Sequence, residues 1–344
     1  MSSPEPETQE RQDAEWLSQG ERGFVWMIKF LFWFATACGR LPARLFVRVV
    51  AFWYACFDRA ARAGSRSWLS VVHGRPVGFW DVYQHILRFS LVSLDRIFLL
   101  MGAHTYFTLK RSGHQYMEKL TAEKQGALLI GAHIGSFEAM RVDAASFDMP
   151  LNIVGHFANA KMINATLEGI NPDISARVIH IGDDPMGSAM KIQDKLDRGE
   201  MVAILADRVG LNDKFVEVNF MGRPARFASG PFLLASIFKC PVYFVAGLYY
   251  EPNRYDTYCE PFAERVVLPR KNRQEALREV VQKYADRVEY YARLAPDNWF
   301  NFYDFWESAS GADSTTATTT TTTTATAGEQ TAGGVRPTQG EVRS

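Results

Sequence analysis

The stretch Leu129–Glu138 reads LIGAHIGSFE. It starts inside an apolar run, Ala127–Ala132, that has the length and composition of a buried strand. A histidine follows the run, then a glycine turn, and Glu138 lies five residues after His133, where a helix is expected to begin. This order predicts an imidazole at a strand end, with a carboxylate near enough to orient it. Such a pair can take the proton from an alcohol and activate it as a nucleophile.

The His-x4-Glu spacing is a weak signal without its surroundings. His133 is the only one of the seven histidines with an acidic residue at the fifth following position. Its weight comes from the strand before it, the glycine within it and the helix after it. A purely structural interpretation stays open, in which His133 is a core residue and the helix dipole stabilises Glu138.

The pattern of apolar residues predicts an α/β fold. Up to about residue 120 the apolar positions recur at helical spacing. Beyond that point short apolar runs alternate with helices, which indicates a mixed, largely parallel central sheet flanked by helices. The predicted strands are 127–132, 151–154, 177–181, 201–206 and 242–248, with strand-rich additions at 214–220 and 249–268. The predicted helices among and after them are 137–147, 160–169, 185–198, 231–239 and 273–294.

Composition divides the chain into four regions. Residues 1–21 and the Thr/Ala-rich tail 308–344 are predicted to be disordered, since neither has an apolar face to bury. Between them we expect an N-terminal helical region, 22–120, and an α/β domain, 121–307. The net charge is zero, which argues against nucleic acid as a partner. The four cysteines show no paired spacing, and we expect no metal site and no cofactor.

The N-terminal region has features of a membrane-surface segment. Seven arginines and one acidic residue lie between Arg40 and Arg75. Within 41–57, Arg44 and Arg48 stand one helical turn apart among aromatic residues, as in helices that lie among lipid headgroups. The alternative is an amphipathic helix packed on the domain. The apolar stretch 24–38 is too short to span a bilayer, and we expect no cleavable signal peptide.

Four features in order resemble the lysophospholipid acyltransferase superfamily, specifically its bacterial lipid A late acyltransferase-like branch. They are the basic and aromatic N-terminal helices, GAHIGSFE at 131–138, the strand ending LADR at 205–208, and FMGRPA at 220–225 leading into ASGP at 228–231. The resemblance covers roughly residues 22–306. It implies that 121–307 is an acyltransferase domain and that the N-terminal helices associate with the cytoplasmic face of the bacterial inner membrane, peripherally or monotopically.

The resemblance also implies a reaction. An acyl chain passes from a thioester, on acyl carrier protein or coenzyme A, to a hydroxyl of a lipid or glycolipid acceptor. His133 would be the general base, Glu138 would orient it, and the backbone amides of Gly135 and Ser136 are candidates for the oxyanion site. Two alternatives stay open: an acyl-thioesterase, and a catalytically inactive lipid-binding protein on the same fold.

Five further residues are candidates for substrate binding. Asp207 and Arg208 end a predicted strand, at the edge where α/β sheets build their sites, and would bind a head group or phosphate; a structural ion pair is the alternative. Arg223 and Arg226 flank Pro224 and would meet the phosphopantetheine of the carrier, unless they are ordinary solvated side chains. Arg141 follows Glu138 by three positions and is expected to pair with it.

Two features qualify the resemblance. Ser136 is a candidate nucleophile with His133 as its base, but the chain has no G-x-S-x-G elbow, and a helix-capping hydroxyl is the preferred interpretation. The C-terminal run 296–306 is richer in aromatic residues than the ends of lipid A enzymes, which leaves the acceptor open. These aromatic side chains would line an acyl or polyene channel, dock at the membrane interface, or pack in the core.

Overall fold

The computed structural model describes residues 30–145, 149–155, 177–181, 184–209 and 214–306. These residues belong to one compact unit that runs to Ala309. The predictions for 1–21, for the helix at 160–169 and for the tail 308–344 lie outside the described residues.

A seven-stranded sheet forms the centre of the fold, with the strand order β1-β9-β8-β2-β5-β3-β4. Strands β8, β2, β5, β3 and β4 run parallel to one another, whereas β9 is antiparallel to β8, and β1 is parallel to β9. A separate antiparallel hairpin consists of β6 and β7. The strands are β1 Thr108–Ser112, β2 Ala127–Gly131, β3 Leu151–Gly155, β4 Val178–His180, β5 Met201–Leu205, β6 Phe215–Phe220, β7 Arg223–Ala228, β8 Val242–Tyr250 and β9 Arg254–Ala263. The largely parallel sheet confirms the predicted fold class.

Helices cover both faces of this sheet. They are α1 at 30–38, α2 Arg40–Phe57, α3 Arg59–His73, α4 Phe79–Leu100, α5 His114–Ala122, α6 Phe137–Ala145, α7 Pro185–Asp197, α8 Gly230–Phe238 and α9 Arg273–Leu294. Helices α5 and α6 pack on one face of the sheet, and α7, α8, α9 and the β6–β7 hairpin pack on the other. Consecutive residues of β2 therefore face opposite sides of the sheet. Leu129 packs on the side of α5 and α6, and Ile130 packs on the side of α7, α8 and α9.

One strand lies inside the region that was predicted to be wholly helical. Strand β1 pairs in parallel with β9, at the edge of the sheet opposite β4. Of its five residues, TLKRS, four are exposed and one is partly buried. The strand is therefore held by backbone pairing rather than by an apolar face, and the sequence carries no period-2 signal that would reveal it.

Helix α2 is attached to the α/β part through its arginines. Arg40 donates to both carboxylate oxygens of Asp95 at 2.9 Å, and Arg44 donates to the Tyr249 hydroxyl at 3.0 Å. Arg44 and Arg48 also lie 3.3 and 3.0 Å from Glu251 Oε1. The expectation that Arg44 faces lipid headgroups is therefore wrong, because its side chain is buried against the protein. Arg48 pairs with Glu251 but keeps 37% of its side chain exposed, and its headgroup contact stays a prediction.

No helix within the described ranges combines the length and the apolar content that crossing a bilayer requires.

We expect Asp95→Asn to destabilise the protein strongly. Asp95 is fully buried, and it also accepts a hydrogen bond from the Tyr255 hydroxyl at 3.0 Å. The change leaves the buried Arg40 guanidinium without its counter-charge, a loss of about 3–5 kcal/mol in the free energy of unfolding. Chemical denaturation monitored by tryptophan fluorescence would measure it.

The exposed pair Arg198–Asp194 provides the control, because exposed pairs contribute little. Asp194→Asn should leave the denaturation midpoint nearly unchanged. Equal midpoints for the two variants would contradict the role given to the buried pair.

Candidate active site

The candidate site lies where two neighbouring parallel strands end. Strands β2 and β5 are in register from Ala127 opposite Met201 to Gly131 opposite Leu205. His133 follows the first strand by two residues and Asp207 follows the second by two. The carboxyl ends of parallel strands meet at one edge of the sheet, which is where α/β folds place their sites. The two side chains meet there, with His133 Nδ1 2.8 Å from Asp207 Oδ1.

The hydrogen bonds of Asp207 define the protonation of His133. Asp207 Oδ2 accepts from the backbone N–H of His133 and from the indole N–H of Trp299, both at 3.0 Å. An ionised carboxylate only accepts, so the Nδ1 that faces Oδ1 carries a proton. The neutral imidazole then has its free lone pair on Nε2. Within the part of the chain that the structure describes, Nε2 has no hydrogen-bond partner, and the side chain is 32% exposed. The geometry thus presents a base to an incoming proton donor.

Asp207 stays ionised although it is buried, with 1% of its side chain exposed. Burial alone would raise the pKa of this carboxyl, but the positive charge of the His133 ring in its protonated form, the ring N–H, the charge of Arg208 and the Trp299 N–H lower the pKa below its usual range. A pKa that is lower in the folded than in the unfolded chain stabilises the fold above about pH 4, and this stabilisation is lost only as the pH falls through the folded value.

Glu138 has one of its two predicted partners, Arg141, but not the other, His133. Its carboxylate is 6% exposed and lies 3.0 Å from Arg96 Nε through Oε1 and 2.8 Å from Arg141 Nε through Oε2. The expected Glu138–Arg141 pair is therefore confirmed. The carboxylate that contacts the His133 ring is that of Asp207, so the geometry does not give Glu138 the orienting role, and it does not give Asp207 the head-group contact predicted for it.

The backbone N–H groups of the two oxyanion candidates already donate hydrogen bonds to other backbone carbonyls. Gly135 N–H donates to the Asn298 carbonyl at 2.8 Å, and Ser136 N–H donates to the Gly247 carbonyl at 2.7 Å. The turn is tight: Gly135 has a φ of +65°, and a Cβ there would lie 1.9 Å from the Gly247 oxygen. These amides fix the turn instead of facing a reacting carbonyl, so this prediction is wrong. Ser136 Oγ accepts from Ala139 N–H at 3.1 Å, which confirms the capping role.

The remaining arginine candidates lie at different places. Arg208 is exposed and donates to the Phe300 carbonyl at 2.8 Å, beside Asp207. Arg223 and Arg226 both belong to β7, where their guanidinium carbons lie 5.6 Å from the Trp306 ring and 4.4 Å from the Phe215 ring. Their substrate contacts stay predictions.

Sequence reasoning missed how the C-terminal segment completes the site. Phe300 N–H donates to the His133 carbonyl at 3.0 Å, and Trp299, which forms a bridge with Ile134, reaches Asp207. The aromatic residues Trp299, Phe300, Phe305 and Trp306 are all buried, which confirms core packing for these four. The segment therefore seals one side of the histidine–aspartate pair.

A buried histidine lies behind this segment. His85 Nε2 lies 2.9 Å from the Trp299 carbonyl, and its Nδ1 lies 2.9 Å from Ser65 Oγ. Burial lowers the pKa of His85 to about 4, although the hydrogen bond to Trp299 opposes that shift. His85 is therefore neutral near pH 7. Since a carbonyl only accepts, Nε2 carries the proton, and Nδ1 accepts from Ser65.

Comparison with known proteins identifies the family. A search of curated proteins finds no match. The family model of the bacterial lipid A biosynthesis acyltransferases matches residues 21–308, which is most of the chain and includes every residue of the site. The chain therefore belongs to the bacterial lipid A biosynthesis acyltransferase family, and it is an acyltransferase of lipid biosynthesis that moves a group other than an aminoacyl group from an acyl donor to a lipid acceptor.

Proposed function

We propose that the protein transfers a fatty acyl chain from a thioester of acyl carrier protein or coenzyme A to a hydroxyl of a lipid or glycolipid. It does so at the cytoplasmic face of the bacterial inner membrane, as a peripheral or monotopic protein. The observation that carries the proposal is the outward-facing Nε2 of His133, held by a buried, ionised Asp207, in a chain of this family.

The chemistry requires only one base. His133 Nε2 takes the proton of the acceptor hydroxyl while its oxygen attacks the thioester carbonyl carbon. Asp207 stabilises the imidazolium that forms, since it lies 2.8 Å from Nδ1. The tetrahedral intermediate then loses the thiolate as the C–S bond breaks, and the imidazolium returns its proton to the sulfur. The products are the ester and the free thiol of the carrier, and no acyl-enzyme forms.

Glu138 then serves to hold two positively charged side chains in place. Its buried carboxylate holds the guanidinium groups of Arg96 and Arg141, so this cluster carries one positive charge more than it carries negative charge. Such a cluster suits a phosphate or another anionic group of a substrate. Arg208 is exposed beside the dyad and offers a further donor.

Membrane association is supported by the outer side of α2. Five apolar residues recur at every fourth position and expose between 56% and 78% of their surface; this apolar stripe is Leu41, Leu45, Val49, Trp53 and Phe57. In α3, Arg59 and Arg66 are exposed, and neither has a carboxylate partner among the described residues. An apolar helix face beside unneutralised arginines suits an anionic lipid surface.

We expect His133→Ala to reduce acyl transfer by roughly 10²–10⁴-fold, because the hydroxyl loses its proton acceptor. The assay supplies radiolabelled acyl groups on acyl carrier protein or on coenzyme A, with total bacterial lipid extract as acceptor. His104→Ala, an exposed histidine on a short turn, should behave as wild type. Release of free fatty acid without lipid labelling would contradict acyl transfer and favour a thioesterase.

We expect Asp207→Asn to fold and yet to lose transfer by roughly 10²–10⁴-fold. The two donors at Oδ2 would draw the amide oxygen to their side, leaving the amide NH₂ against His133 Nδ1. That arrangement selects the tautomer with its proton on Nε2, which is no longer a base.

Glu138→Gln is the matched comparison, since it is also a buried carboxylate changed to its amide. It should impair transfer less than Asp207→Asn and act mainly through KM, because its partners are two arginines. A loss in kcat equal to that of Asp207→Asn would return the orienting role to Glu138.

Charging the apolar stripe should detach the protein from membranes. For Leu45→Glu with Val49→Glu we expect at least a ten-fold weaker affinity for phosphatidylethanolamine–phosphatidylglycerol vesicles, because each buried aliphatic side chain contributes about 1.5–3 kcal/mol. Vesicle co-sedimentation would measure it. The control is Met186→Glu with Met190→Glu, an exposed apolar pair with the same spacing on α7. Equal losses for the two pairs would remove α2 as the membrane contact.

A further inference from the structure

Trp299 makes a polar contact with the dyad that core packing alone does not require. Its indole N–H donates to Asp207 Oδ2 at 3.0 Å, and its side chain is fully buried. The same oxygen accepts the His133 backbone N–H, while Oδ1 accepts from the imidazole. With two donors fixed at Oδ2, the carboxylate cannot rotate without losing them, so Oδ1 stays directed at His133.

The indole itself has little freedom to move. The Trp68 ring packs edge-on against it at a centroid distance of 4.5 Å, with Phe305 at 4.9 Å and Phe220 at 5.2 Å. The backbone of Trp299 is held as well, since its carbonyl accepts from His85 Nε2. The position of the N–H is therefore set by the core, and the core transmits that position to the carboxylate.

We infer that Trp299 is a positioning residue for the reaction and acts through Asp207. This inference rests on the proposed general-base function of His133. A hydrogen bond donated to an ionised carboxylate stabilises the charged form, so the indole keeps Asp207 an anion and limits how tightly the dyad holds a proton. Trp299 is fully buried, so its effect on the reaction would pass through Asp207.

Trp299→Phe tests the inference, because it keeps an aromatic ring and removes the donor. We expect kcat for acyl transfer to fall roughly ten- to a hundred-fold with KM little changed. Without the donor the dyad binds its proton more tightly, so the acid limb of the rate profile should move upward by about 0.5–1 pH unit.

Tyr291→Phe is the matched control. Tyr291 belongs to the same core and is also buried, but its hydroxyl donates to a different carboxylate, Glu260 Oε1, at 2.7 Å. The change removes one buried hydrogen bond to a carboxylate and leaves the aromatic rings packed against Trp299 in place. Its acid limb should stay at the wild-type position. An unshifted limb in Trp299→Phe, or the same shift in Tyr291→Phe, would overturn the inference.

A second measurement depends neither on the folding of Trp299→Phe nor on activity. With ¹⁵N-labelled indoles, one of the eight tryptophan N–H resonances should shift as the dyad titrates in the wild type and stay still in His133→Ala. If no indole resonance titrates, Trp299 is not coupled to the dyad, whatever the enzyme transfers. If one titrates but no acyl transfer is found, the proposed reaction fails while the coupling stands.

Discussion

The buried carboxylate of Asp207 joins three parts of the chain that are distant in sequence. A buried anion is costly unless its oxygens are hydrogen-bonded, and here three N–H groups satisfy them. They come from the backbone and ring of His133, after β2, and from the indole of Trp299 near the C-terminus. Together these donors keep the carboxylate charged, and the Trp299 bond ties the C-terminal segment to the strand ends that carry His133 and Asp207. The hydrogen bonds that orient the carboxylate therefore also hold the site together.

Buried charges also determine which side of α2 packs against the protein and which side faces outward. Buried ion pairs add little net stability over apolar packing, but a single broken pair is costly, so they define orientation well. Arg40 and Arg44 are buried against Asp95, Tyr249 and Glu251, which fixes the rotation of the helix about its axis. That rotation turns the apolar stripe outward. The side that carries Arg44 is therefore the side that anchors the helix, and the exposed apolar stripe is the side through which the proposed membrane contact would be made.

Much of the fold was readable from the sequence, and the reason differs by element. Strands β2 and β5 and helix α9 were predicted because continuous apolar runs and a 3.6-residue period leave few alternatives. The edge strand β1 has no such pattern. Local spacing also identified His133 and Glu138, but the ring's actual partner lies 74 residues away and meets it only through the register of two strands. The role of Trp299 depends on where one N–H points, which an aromatic-rich segment does not encode.

The His-x4-Glu spacing thus links two residues with separate partners rather than one hydrogen-bonded pair. The turn between them is fixed, because Gly135 lies against Gly247 and the backbone N–H groups of Gly135 and Ser136 both donate to carbonyl oxygens. In the proposed reaction, His133 on one side of the turn takes the proton. Glu138 lies on the other side, in the first turn of α6, and pairs with two guanidinium groups, which leaves one positive charge in excess. In the proposed reaction on an anionic lipid or carrier, this rigid turn would hold that positive charge at a constant separation from the base.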